Sequence, residues 1–138
     1  MTRYVAGLGC RQGCETAELA ALLDRVLDEA GVPRSALMGL ASLQRKCVEP
    51  ALAGLARQRA LPLEGFDETV LARHTGRLHS PSARVLDATG CAGIAEAAAL
   101  ALADRWGEGP AELRVGKRSS GHASVALARV EGQAADSL

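Results

Sequence analysis

The sequence predicts an α/β fold: a three-layer α/β/α sandwich around a mixed sheet, with parallel strands followed by a C-terminal hairpin. Three observations carry this expectation. Apolar runs suited to strands alternate with helical stretches through the first half of the chain; two glycine turns each open into a helix; and two strand-like runs flank a polar turn near the end.

The first strand enters through Tyr4-Val5-Ala6 and leads into the glycine-rich segment Gly7-Leu8-Gly9-Cys10-Arg11-Gln12-Gly13, which opens into a helix. Glycines at 7, 9 and 13 suit a tight turn and a close approach of backbone to ligand, and free N–H groups at a helix start suit an anion. The chemistry suggested is capture of a carboxylate or phosphate. The spacing Gly-x-Gly-x-x-x-Gly is one residue longer than the dinucleotide fingerprint, and no Lys-Ser/Thr pair follows as in a P-loop.

Leu19, Leu22, Leu23, Val26, Leu27 and Ala30 then recur on one helical face, and Gly31 and Pro33 end the helix. Its opposite face carries Glu18, Asp24, Arg25, Asp28 and Glu29, so it should cover a sheet with that side in water. Glu15 and Glu18 suit the positive helix end, although they compete with an anionic ligand there. Leu37 to Leu43 reads as a buried strand. A helix with Pro50 in its first turn follows, with Leu52, Leu55 and Ala56 facing inward.

Leu61 to Phe66 is expected as a third strand, broken at Gly65, and Asp67 to Arg73 as a short helix. Thr75 to Ser82 reads as a mobile loop, and Ser82 to Ala88 fits either a short helix or a strand. Gly90-Cys91-Ala92-Gly93 is the second glycine turn, opening a helix from Ile94 to Arg105 whose alanines imply close packing on a sheet or at an interface. Glu112 to Lys117 and Ala123 to Val130 flank Arg118-Ser119-Ser120-Gly121-His122 and read as the closing hairpin. The expectation is one domain over residues 1–131 and a flexible tail over 132–138.

Composition narrows the partners. Lys plus Arg and Asp plus Glu number 16 each, so no overall field draws nucleic acid or an anionic membrane, and any anion site must be local. Aromatic content is 2%, which leaves few platforms for base stacking. The apolar run Ala97 to Ala103 is far too short to span a bilayer. No secretory leader is read at the N-terminus, which places the expected setting in the cytoplasm with reduced thiols. Cys10 and Cys14 have neither redox nor zinc-knuckle spacing, so Cys10, Cys14, Cys47 and Cys91 are read as free structural thiols, with neither metal nor cofactor.

In such sheets, ligands bind at the loops beyond the carboxyl ends of the parallel strands. Those loops are Gly9 to Gly13 and Lys46 to Glu49, with the second glycine turn nearby. Arg11, fixed between glycines, suits a bidentate carboxylate clamp. Lys46 and Glu49 also suit a pair with each other. Arg45 and Arg118 read as solvated charges, His74, His79 and His122 as solvated loop histidines, and Cys10 as a packing thiol in the loop. No catalytic residue is assigned. Glu96, early in an apolar helix, reads as a buried carboxylate paired with a loop cation, in preference to a simple helix-end charge.

Three stretches carry a resemblance: Val5-Ala6-Gly7-Leu8-Gly9-Cys10-Arg11-Gln12-Gly13, Ala41-Ser42-Leu43-Gln44-Arg45-Lys46-Cys47-Val48-Glu49-Pro50 and Gly93-Ile94-Ala95-Glu96-Ala97-Ala98-Ala99-Leu100. In that order and separation they resemble the CobE family of cobalamin biosynthesis, itself similar to the C-terminal domain of CbiG. The likeness runs from Arg3 to Val130. It implies an α/β/α fold, a cytoplasmic protein of the vitamin B12 pathway, and a corrinoid or precorrin intermediate as partner, with other enzymes of that pathway as further partners. CbiG-type proteins open a lactone in a cobalt-precorrin and release acetaldehyde.

Mapped onto this chain, the motif positions are Gly7, Gly9, Cys10, Arg11, Gly13, Lys46, Glu49 and Glu96, with Lys117 a looser match. Cys14 stands where many members carry a small or hydroxyl residue. The ligand-binding set expected is therefore Gly9, Cys10, Arg11, Gly13, Lys46, Glu49, Glu96 and Lys117. The first expectation is an accessory or carrier protein. The alternatives are a precorrin lactone or ester hydrolase using Cys10 or a histidine, and a nucleotide-binding module.

Overall fold

The computed structural model describes residues 2–74, 93–108 and 110–131. The expected loop over 75–82, the ambiguous segment over 82–88, the start of the second glycine turn, His79, Cys91 and the tail lie outside them. The element order is β1 (Arg3–Cys10), α1 (Thr16–Ala30), β2 (Leu37–Leu43), α2 (Pro50–Arg59), β3 (Leu63–Phe66), α3 (Glu68–Ala72), α4 (Ile94–Trp106), β4 (Glu112–Ser119) and β5 (Ala123–Val130). Short 3-10 turns, Arg34–Ala36 and Gln44–Lys46, bracket β2.

The sheet runs β3-β2-β1-β5-β4. β1, β2 and β3 are parallel, while β5 pairs antiparallel with both β1 and β4. Both faces of the sheet centre are covered, which is why β1, β2 and β5 are mostly buried, whereas the edge strand β4 alternates buried and exposed residues. Alternate residues serve opposite cores: Val5, Ala41, Ala126 and Ala128 meet α4, while Ala6, Leu8, Cys10, Val125 and Leu127 meet α1 and α2.

α1 presents Leu19, Leu22, Leu23, Val26, Leu27 and Ala30 to the second core, as its period requires. Each large residue contributes about 1.5–3 kcal/mol relative to exposure. Gly31 ends the helix in the left-handed conformation at φ 69°. Pro50 sits in the first turn of α2, where its missing N–H leaves no bond unmade.

α4 lies on the other face and is buried from Ile94 to Ala103. Its alanines approach the sheet closely because the floor is small there. A Cβ on Gly7 would sit 1.8 Å from the Ala95 carbonyl oxygen and 2.6 Å from the Ala99 nitrogen. The structure thereby corrects the role expected for two glycines: Gly7 and Gly9 lie within β1, and only Gly13, at φ 90°, turns the chain. Gly7 admits a helix, and a Cβ on Gly9 would meet the Ser124 hydroxyl at 2.7 Å.

Gly65 likewise does not break the third strand but pairs within it, opposite Ser42. The strand begins at Leu63 rather than Leu61. β4 is an edge strand carrying two irregularities, one between Leu113 and Val115 and one between Val115 and Arg118. Such bulges free backbone groups from the ladder and blunt a sheet edge against further pairing. No helix among the described residues is long and apolar enough to cross a membrane.

Candidate functional site

The carboxyl ends of β1 and β2 set the first group of candidate residues. β1 ends at Cys10, and the chain turns through Arg11 to Gly13, closed by the Cys14 N–H donating to the Arg11 carbonyl at 3.1 Å. β2 ends at Leu43, and the following 3-10 turn delivers Lys46 and Glu49 beside the first turn. Their proximity registers on Cys10: burial pushes its thiol up, the Glu49 carboxylate adds to that, and the Lys46 ammonium opposes it. Burial also pushes the Cys14 thiol up to about 11, with Cys10, Glu18 and Glu15 adding to the shift. These thiols are protonated near neutrality, which disfavours a nucleophilic role for Cys10.

The hairpin turn closes over the same edge of the sheet. The Arg11 N–H donates to the His122 carbonyl at 2.8 Å. Glu18, in the first turn of α1, accepts from the Ser120 hydroxyl and from the His122 N–H at 2.7 Å, and its second oxygen lies 3.1 Å from His122 Nδ1. These bonds, Ser120 first, hold the Glu18 carboxyl below its ordinary range. Glu18 thus latches the hairpin to α1. The sequence places Glu18 on the solvent face and at the positive end of α1 and does not reveal the latch, because a contact across this chain separation leaves no local pattern.

Glu96 and Lys117 form a second group, along the outer edge of β4. Glu96 is wholly buried. Its Oε2 accepts the Lys117 N–H at 2.7 Å, at the bulge between Val115 and Arg118. The expected loop cation is therefore corrected to a backbone amide, supplied because the bulge has withdrawn it from the ladder. Glu96 Oε1 is buried with no hydrogen-bond partner. Glu96 also lines an open pocket of about 440 Å³, together with Glu29, Arg114, Val115, Gly116, Lys117 and Arg118.

Most charges near these groups are already committed. Arg118 grips Glu29 through Nε at 3.0 Å and through a second nitrogen, raising its own pKa and lowering that of Glu29. Arg114 donates to the Ala30 carbonyl at 2.6 Å, and Arg45 pairs with Glu68 at 3.0 Å. Arg45 and Arg118 are solvated surface charges, as expected, and each also has an exposed carboxylate partner.

Among the described residues, the side chains of Arg11, Lys46, Glu49 and Lys117 make no hydrogen bond or ion pair. The suggested Lys46–Glu49 side-chain pair does not form; their link is the Glu49 N–H to the Lys46 carbonyl at 2.9 Å. No hydrogen bond or ion pair among the described residues joins the Lys46 group to the Glu96 group.

His74 is no solvated loop residue. Its half-buried ring lies 3.1 Å from the Val70 carbonyl and 3.2 Å from Asp104, tying α3 to α4. Asp104 also accepts the Ala111 N–H at 2.7 Å. Among the described residues, no cluster of three or more His, Cys, Asp or Glu side chains is arranged to hold a metal ion.

Comparison with known proteins gives a consistent set of relatives. Residues 4–128 match the family model described as cobalamin synthesis G C-terminus. A protein named CobE from Sinorhizobium sp. is 41% identical over 124 residues, spanning 90% of this chain and 78% of its own. Among solved structures, a CobE protein of the cobalamin biosynthetic pathway superposes with a TM-score of 0.84 at 48% identity, covering 93% of this chain and 90% of its own. The cobalamin biosynthesis protein chiG from Agrobacterium tumefaciens gives a TM-score of 0.67 at 32% identity, covering 91% and 96%.

Proposed function

The chain belongs to the cobalamin synthesis G C-terminal family and is a protein of cobalamin biosynthesis; from that premise we propose that it binds a precorrin or corrinoid intermediate in the cytoplasm, as an accessory or carrier protein. Such a ligand is an apolar ring bordered by acidic side chains. The observation that supports the reading is the position of three uncommitted cations, Arg11 and Lys46 at the ends of β1 and β2 and Lys117 at the β4 pocket. Arg45 and Arg118 are held by Glu68 and Glu29, whereas Arg11, Lys46 and Lys117 are not paired among the described residues. Arg11 and Lys46, unpaired at the loops beyond the parallel strands, suit ligand oxygens, and Lys117 lies apart from them on the edge strand β4.

Arg11 and Lys46 take carboxylates of the ligand, and Lys117 takes an oxygen of another side chain. Val48, 82% exposed between Lys46 and Glu49, offers an aliphatic contact to the ring. Gly13 sets the turn that presents Arg11, and the buried Cys10 fixes the end of the strand below it. The carrier reading ranks above hydrolysis through Cys10 because that thiol's pKa is raised by burial and by Glu49.

The test is an absorption titration of the protein with a corrinoid polycarboxylic acid and with its fully amidated counterpart. Saturable spectral change with the acid, and weaker change with the full amide, is the expected result. Spectra that stay additive at high protein concentration would refute binding. Turnover would show instead as a change in the mass of the corrinoid.

A further inference from the structure

The pocket beside β4 has an unusual charge inventory. Its three cations and two carboxylates leave few groups for a ligand, since Arg118 and Glu29 hold each other and Arg114 is bound to the Ala30 carbonyl. Two groups remain. One is the Lys117 ammonium, half-buried and unpaired among the described residues; the other is Glu96 Oε1, buried and lacking any donor. A buried acceptor without a partner is destabilising, so the site gains from a group that brings a donor to it.

The two free groups ask for opposite things. Lys117 offers donors and seeks an acceptor, while Glu96 Oε1 seeks a donor. A free carboxylate supplies only acceptors and leaves Glu96 unmet, with a second negative charge beside it. An isolated ammonium meets three cations. A neutral primary carboxamide carries both functions on one carbon.

We infer that the pocket formed by Glu96 and the Gly116–Lys117 bulge is a subsite for a primary carboxamide, whose N–H donates to Glu96 Oε1 and whose carbonyl accepts from Lys117. The bulge serves this arrangement, since the same irregularity binds Glu96 Oε2 through the Lys117 N–H and so fixes the carboxylate beside the pocket. Glu96 Oε1 is shielded from water, so an amide that parts the pocket wall forms its bond without solvent competition. For the proposed corrinoid ligand, on which this wider consequence rests, the side chain lodged at β4 is amidated while those at Arg11 and Lys46 remain acids.

The test uses small probes first, because they examine the pocket without the corrinoid. In a two-dimensional NMR titration of the whole protein, propionamide should shift the Gly116 and Lys117 amide resonances saturably, and propionate should not. Glu96→Gln keeps an oxygen for the Lys117 N–H and removes the charge. It should weaken propionamide about tenfold, the loss typical of one charge-assisted hydrogen bond. Equal response to propionate, or unchanged propionamide affinity in a folded Glu96→Gln, would overturn the inference.

A second arm compares a corrinoid polycarboxylic acid with its partly amidated derivatives. Preference for a partly amidated derivative, erased by Glu96→Gln, extends the subsite to the corrinoid. A propionamide response with no corrinoid binding leaves the pocket standing and removes the carrier reading. Corrinoid binding without a propionamide response does the reverse.

Discussion

Gly7→Ala should be the most disruptive small substitution in the sheet. The added Cβ would lie 1.8 Å from the Ala95 carbonyl oxygen and 2.6 Å from the Ala99 nitrogen, both backbone atoms of α4. Ordinary contact is about 3.5 Å, so the helix would have to withdraw from β1 by more than ~1 Å, and no rotamer change relieves the overlap. Withdrawal also loosens the alanine contacts from Ala95 to Ala103, which are buried throughout. Overpacking of this kind costs about 1–3 kcal/mol, and a clash with backbone belongs at the upper end.

Urea denaturation measures it. With a slope of about 2 kcal/mol per molar, a loss of ~3 kcal/mol lowers the midpoint by about 1.5 M. Glu96 adjoins Ala95, so the Lys117 amide should also lose protection from hydrogen exchange. Gly13→Ala is the control, because nothing lies within 4 Å of its Cβ position and only the left-handed φ of 90° is unfavourable; it should cost about 1 kcal/mol. A Gly7→Ala midpoint within experimental error of the parent would refute the packing argument.

Three further outcomes follow from individual contacts. The Glu18 carboxyl is held below its unfolded value of 4.5, so its contribution is complete above that pH and is lost as pH falls through the lower folded value; Glu18→Gln should flatten the stability profile below about pH 4.5, and a profile parallel to the parent would contradict the latch. Cys14, with its pKa near 11, should react with iodoacetamide at pH 7 about a hundredfold more slowly than an ordinary thiol, accelerating about tenfold per pH unit; fast alkylation mapped to Cys14 would show that burial does not hold it protonated. Ser42→Ala removes the buried bond from its hydroxyl to the Leu8 carbonyl at 2.7 Å. A loss of about 1 kcal/mol in urea is expected, and no loss would mean that β1 and β2 do not depend on it.

The layers of this fold were legible because they rest on periodicity. The Leu19 to Ala30 pattern locates α1, the apolar run Leu37–Leu43 gives β2, and the terminal runs give the hairpin. The glycines were misread where tertiary packing, not local turning, selects them: Gly7 is small because α4 crosses it, a fact with no signature near residue 7. The closeness of Cys10, Lys46 and Glu49 follows from the parallel order of β1 and β2, so sequence could anticipate it. The β4 pocket was harder. Gly116 within a strand pattern is the signal for a bulge, yet the partner that the bulge finds, Glu96, comes from another layer. The Arg118–Glu29 grip and the Glu18 latch join distant segments and leave no spacing to read.

The most direct test of corrinoid binding is the same absorption titration on Arg11→Ala, Lys46→Ala and the double variant, each first shown to unfold in urea like the parent. Both positions contribute cations with no protein partner among the described residues, so removal should leave stability intact. Each single variant should weaken the corrinoid acid about three- to tenfold, and the double variant more, with reduced dependence of affinity on salt. Parent-like affinity and salt dependence in the folded double variant would contradict the claim that these two cations hold the ligand.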